Sequence, residues 1–202
     1  MKRGESQLTG RILGGKYKGK KIKLPGKAVT RSSKARLRKS LFDALQFEIV
    51  DRNFIEMFGG SGSVGLEAVS RGAKRAWFIE ANTDSYAVLK ENCQALDPAR
   101  CDVRMGDAFS VLPIILEELA KKGEKAYLYI DPPFSIREGY EGIYKKVIGV
   151  IEGIDPALIH RIVVEHMTAE VMPDRIGAFV KVKQKRFGKS SLSHYLPEED
   201  LE

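Results

Sequence analysis

Cysteine is nearly missing from this sequence: Cys93 and Cys101 are the only two in 202 residues, and they lack a Cys-x-x-Cys spacing. That excludes a disulfide framework and a thiolate zinc set, so both read as packing residues. Histidine is as scarce. His160, His166 and His194 share no ligand spacing, and no metal is expected. Long apolar runs are also lacking. The longest, Val111 to Leu116, falls far short of the ~18 residues of a membrane span. Met-Lys-Arg-Gly-Glu-Ser leads into no apolar signal core, so no membrane and a cytoplasmic location are expected. No internal repeat stands out. What is present is ordinary for a globular chain, 43% hydrophobic and 30% charged, long enough for one α/β domain with a short appendage. A monomer is expected.

Acid is missing from one end. Residues 1–40 hold fourteen Lys or Arg against Glu5 alone, +13 of a total +7, which leaves −6 over residues 41–202. A bipolar chain of this kind suggests an acidic core unit with a basic arm for a polyanion, most naturally nucleic acid. Residues 10–24 have the pattern of two short strands about Gly14-Gly15, a small basic hairpin. From Ser32 or Ser33 as N-cap, a helix is expected to about Gln46, with Leu37, Leu41, Phe42 and Leu45 on its apolar face. Arg36, Arg38 and Lys39 lie mostly off that face, free for phosphate or carboxylate.

Strands are expected at Asn53–Phe58, Ala76–Ile79, Cys101–Met105, Tyr127–Ile130 and Arg161–Glu165. Helices are expected between them at Thr83–Leu96, ending near Lys122 with Pro113 in its first turn or at a kink, and from about Tyr140 to Ile151. Phe179–Phe187 and Leu192–Leu196, turned at Gly188-Lys189-Ser190, form a terminal pair. The alternation implies an α/β, doubly wound, Rossmann-like sheet, mainly parallel with an antiparallel C-terminal edge. The boundaries drawn are 1–31 for the arm and hairpin and 32–200 for the domain.

Chemistry gathers where the strands end. The first strand runs into Gly59-Gly60-Ser61-Gly62-Ser63-Val64-Gly65, and glycines there let a ligand approach the backbone and the positive end of the next helix. Glu80 ends the second strand, twenty residues after Gly60, where an acid can hold ribose hydroxyls. Asp107 follows the third, and Asp131-Pro132-Pro133-Phe134 follows the fourth. The literal GxGxxG admits a dinucleotide-dependent dehydrogenase. So many acids serve a pyrophosphate poorly, whereas a cationic sulfonium bearing adenosine suits them. Proline withholds an N–H and holds its neighbour extended, so the Asp131 carboxylate and the Pro132 carbonyl stand as acceptors for a flat amine or amide under the Phe134 ring. A plain strand ending in a Pro-Pro turn has the same local sequence.

Ile55-Glu56-Met57-Phe58-Gly59-Gly60-Ser61-Gly62, Phe78-Ile79-Glu80, Gly106-Asp107-Ala108 and Asp131-Pro132-Pro133-Phe134 together resemble the class I S-adenosylmethionine-dependent methyltransferases of exocyclic amines. With Arg11-Ile12-Leu13-Gly14-Gly15-Lys16-Tyr17-Lys18-Gly19, Arg36-Leu37-Arg38 and Gly62-Ser63-Val64-Gly65-Leu66-Glu67-Ala68, the chain is more closely similar to the RsmD-type 16S rRNA (guanine-N2) methyltransferases. The resemblance implies S-adenosylmethionine as cofactor, held by Glu56, Phe58, Gly59, Gly60, Ser61, Gly62, Glu80, Asp107 and Ala108. It implies Asp131, Pro132 and Phe134 as the catalytic set, and Arg11, Lys16, Lys18, Arg36 and Arg38 toward 16S rRNA or a small-subunit particle. Two departures are visible: Arg31-Ser32-Ser33 stands where the family has Arg-Pro-Thr, and Lys39 where it has an acid. The DPPF motif is shared with methyltransferases of DNA adenine and protein glutamine, and a non-catalytic RNA-binding assembly protein is the reading from a different class.

Overall fold

The structure, a computed structural model, describes residues 8–25, 31–133 and 142–201, leaving aside the side chains of 31–33. In chain order the elements are β1 (Thr9–Arg11), β2 (Lys21–Lys23), α1 (Arg31–Leu45), β3 (Asn53–Glu56), α2 (Ser63–Ser70), β4 (Arg75–Glu80) and α3 (Thr83–Leu96). Then come β5 (Cys101–Met105), α4 (Ala108–Lys122), β6 (Ala126–Ile130), α5 (Ile143–Glu152), β7 (Ile159–Met167), β8 (Arg175–Ile176), β9 (Phe179–Phe187) and β10 (Ser190–Pro197).

Among the described residues, eight strands form one sheet in the order β5-β4-β3-β6-β7-β10-β9-β8. The pairs among β3, β4, β5, β6 and β7 are parallel, and those of β10 with β7 and β9 antiparallel, as the alternation of elements implied. β8 is a two-residue edge that the sequence did not signal. The strand order reverses between β3 and β6, which opens a crevice at their carboxyl ends.

Both sheet faces are covered, which is why the parallel strands are continuous apolar runs. Successive side chains go to opposite faces. Phe54, Phe78, Tyr127 and Tyr129 pack with α1, α2 and α3, while Ile55, Trp77, Leu128 and Ile130 pack with α4 and α5. Helix ends follow their caps: Asn82 accepts the Ser85 N–H at the start of α3, and Gly123 closes α4 at φ 64°. Pro113 lies inside α4, past the first turn, which was one of the two places expected for it. The expected start of α5 at Tyr140 lies outside the described residues.

The hairpin differs from a simple Gly-Gly turn. Residues 12–20 make a longer connection, and it is pinned on α2: the Lys16 and Tyr17 N–H groups donate to the Ser70 carbonyl (2.7 Å) and Oγ (2.9 Å), and the Leu13 N–H to Glu67 (2.8 Å). Gly15, at φ 76°, lies so close that a Cβ there would sit 1.9 Å from the Ser70 oxygen. Ile12 and Ile22 join the core of α1, α2 and α3.

Candidate active site

The crevice is built on the β3–α2 turn. Gly59 donates to the Ile79 carbonyl (2.7 Å), and Gly62 to Gly59 (2.7 Å), curling the loop over the end of β4. Glycine is required at position 62: its φ is 76°, and a Cβ would lie 2.5 Å from Leu89 Cδ1. At Gly60 a Cβ would meet no atom within 4 Å among the described residues, so this glycine borders open space. Ser61 is half-buried, and its carbonyl accepts from the Asn92 amide at 2.8 Å.

Glu56 lies one layer beneath this loop. It is buried, and its Oε2 accepts the Gly65 N–H at 2.8 Å, so it anchors the start of α2 from below. Burial pushes its carboxyl up to about 8. Glu80 stands at the crevice itself. Its Oε2 accepts the Gly60 N–H (2.8 Å) and its Oε1 the Asn82 N–H (2.7 Å), which leaves lone pairs on both oxygens for a diol. Asp107 is exposed and caps α4, one oxygen taking the Phe109 and Ser110 N–H groups (3.1 and 3.3 Å), while Oδ1 has no partner among the described residues. The next residue, Ala108, is buried. Phe58 meets Phe109 edge to face, centroids 5.9 Å apart, and adds an apolar wall that the sequence reading, lacking Phe109, left incomplete.

Asp131 ends β6 beside this crevice, with Pro132 buried and Pro133 half-buried; Phe134 lies outside the described residues. Its carboxylate is not idle. The Lys34 ammonium, 97 residues away in sequence, donates to Asp131 Oδ2 at 3.0 Å and lies 3.7 Å from Glu165 Oε1. β6 pairs with β7 at Ile130–Val164, so Asp131 and Glu165 come next to each other at the strand ends. Period-two alternation turns Glu56, Tyr129, Asp131 and Glu165 toward α1, whose Lys34 and Arg38, four residues apart, set two cations over them. The Tyr129 hydroxyl donates to Glu165 Oε2 at 2.5 Å. Burial, and then the Asp131 charge, push the Glu165 carboxyl up to about 7, and Asp131 raises Lys34 above the usual range for an ammonium. Sequence reasoning missed Lys34 and Glu165; the signal for Glu165 was its place at the end of the fifth parallel strand.

The basic residues divide into two groups. Arg11, Lys16, Lys18 and Arg36 are exposed, and Lys16 and Lys20 flank the Tyr17 ring at 5.0 Å each. Arg38, expected to stand free for RNA, is 9% exposed instead: its Nη2 donates to the Arg11 carbonyl at 2.6 Å and its Nε lies 3.6 Å from the buried Glu67. The carboxylate it meets is internal, because docking of the hairpin closes over this face of α1.

The family described as "Conserved hypothetical protein 95" matches residues 10–196. This chain belongs to that family. It is 33% identical over 162 residues to Ribosomal RNA small subunit methyltransferase D of Escherichia coli, covering 78% of this chain and 75% of the relative. The solved structure of the Escherichia coli protein yhhF superposes with a TM-score of 0.72 at 29% identity, covering 94% of this chain and 98% of that one. A methyltransferase solved with S-adenosylhomocysteine, 12% identical, shares the fold at a TM-score of 0.67 over 96% of this chain and 57% of its own. The fold of this family member is thus the class I methyltransferase fold.

Proposed function

We propose that this family member is an S-adenosylmethionine-dependent methyltransferase acting on the exocyclic N2 amine of a guanine in 16S rRNA. The observation that carries the reading is at Asp131: a nitrogen donor already lies 3.0 Å from a carboxylate that closes a strand beside a glycine-lined crevice. An arylamine fits the same acceptor, with the Pro132 carbonyl as the second. Relatives named as rRNA methyltransferases, and the exposed Arg11, Lys16, Lys18 and Arg36, support RNA over DNA or a protein amide.

When bound, S-adenosylmethionine supplies a methyl group on a positively charged sulfur. The donor set fits such a group: Glu80 retains lone pairs for the ribose, the exposed Asp107 Oδ1 and the Ala108 N–H suit an adenine edge, and Gly60 borders open space. Phe58 and Gly59 to Gly62 form the wall beside the reacting end. Asp131 and Pro132 orient the amine and draw on its hydrogens, which localises the nitrogen lone pair otherwise spread into the ring. The Asp131 carboxylate is also placed to take the proton the amine gives up. Phe134 completes the set as the ring over the base, which has to be unpaired or turned out to enter. A cytoplasmic location and a small-subunit particle as partner go with this reading.

The test is transfer of labelled methyl groups to small-subunit rRNA or particles, followed by digestion to nucleosides. N2-methylguanosine is the expected product. Label in DNA adenine or a protein glutamine, or none in any substrate, sinks the reading.

A further inference from the structure

Glu165 carries a structural oddity. It is 2% exposed, its Oε2 is taken by the Tyr129 hydroxyl, and its Oε1 has no hydrogen bond among the described residues. A buried carboxylate oxygen left this way is costly. Among the described residues the nearest cation is Lys34, 3.7 Å from that oxygen while bonded to Asp131 at 3.0 Å.

We propose that Lys34 is a positioning residue that occupies the Asp131 acceptor in the free protein and retires onto Glu165 when the target amine binds. The inference rests on Asp131 being the amine's acceptor. An ammonium brings a full opposite charge to the Asp131 carboxylate, which a neutral amine does not, so the amine displaces Lys34 only if the cation keeps a counter-ion. Glu165 Oε1 supplies it. Closing 3.7 Å to a normal charge-assisted contact needs a shift of about 1 Å, small for a four-carbon stem whose side chain is 58% exposed.

Glu165 has to be ionised to receive Lys34. Its carboxyl is pushed up to about 7, first by burial and then by Asp131, so the exchange is open above that pH and closes below it. Among the described residues, the other charged or titratable groups around Lys34, Asp131 and Glu165 are Glu56 from β3, Tyr129 from β6 and Tyr144 from α5, with Arg38 one turn further along α1. β10 sets the apolar Leu192 opposite Glu165.

The test is a double-substitution cycle on methyl transfer to rRNA between about pH 6 and 8.5. In the wild type, the KM for RNA rises as pH falls through about 7, approaching tenfold per unit. Glu165→Gln raises that KM by about tenfold at high pH and removes its dependence on pH, whereas in a Lys34→Met background the same substitution changes it less than about twofold. Equal effects in both backgrounds overturn the proposal, since a merely structural Glu165 would not be rescued by removing Lys34. If Glu165→Gln does not fold, Lys34→Met alone decides: loss of the rise in KM below pH 7 supports the exchange, and its persistence overturns it. Asp131→Ala separates the two layers. Turnover surviving that change defeats the site reading, whereas its loss together with additive Lys34 and Glu165 effects defeats only the exchange.

Discussion

Replacing Arg38 by Met keeps most of the side-chain stem and removes the guanidinium from beneath the hairpin. The bond from Nη2 to the Arg11 carbonyl is lost, worth about 1.5–3 kcal/mol for a charged donor. The 3.6 Å pairing with Glu67 is lost as well. Glu67 is fully buried but keeps the Arg71 guanidinium and the Leu13 N–H, both at 2.8 Å, so this loss stays below the ~3–5 kcal/mol of a buried pair broken outright. A total near 3 kcal/mol follows, or a drop of roughly 6–12 °C in the thermal midpoint of a chain this size. Arg36→Ala, by contrast, removes an exposed cation and should leave stability within about 0.5 kcal/mol. Urea melts and RNA binding across a salt series distinguish the two residues. Arg36→Ala should flatten the slope of log affinity against log salt by about 0.7–0.9, and Arg38→Met should leave the slope near wild type under folding conditions. The reasoning fails if Arg38→Met melts like the wild type while losing slope.

Other expectations bear on the site and its supports. Asp131→Ala should abolish methyl transfer while leaving the salt slope of RNA binding, measured by filter binding, near wild type, because the exposed cations of the arm lie elsewhere. Gly15→Ala forces a Cβ against the Ser70 carbonyl at positive φ, so it should cost at least about 1–2 kcal/mol in urea melts and weaken hydrogen-exchange protection at Lys16 and Tyr17. Glu56 and Glu165 have raised folded values, about 8 and about 7, so each favours folding fully below its unfolded value near 4.5, and that contribution is lost as pH rises through 7 to 8. Stability should therefore fall between those limits by up to about 1.4 kcal/mol per pH unit per group, and Glu56→Gln should flatten the fall when melts at pH 6 and 9 are compared.

Much of the scaffold was legible because its causes are local. Tyr127 to Ile130 is apolar throughout since both faces of its strand are covered, and the run ends where Asp131 and two prolines cannot continue a ladder. The turn from Gly59 to Gly62 followed from its composition, since residue 62 takes a conformation that glycine adopts freely. α3 and β5 fell where patterning put them. Arg38 was misread for a physical reason. Helical periodicity assigns a residue to a face, but it does not say that a hairpin from residues 9–23 will close over that face.

The sequence by itself determined the order of strands and helices, the glycine turn, and acids at successive strand ends, since propensity, caps and turn chemistry act within a few residues. Only the tertiary structure decided which charges meet. Lys34 reaches Asp131 and Glu165, and Arg38 reaches Glu67, because parallel register aligns the ends of β6 and β7 and α1 packs across them. A charge pair is fixed by distance and burial in three dimensions, and neither is written in the spacing of residues along the chain.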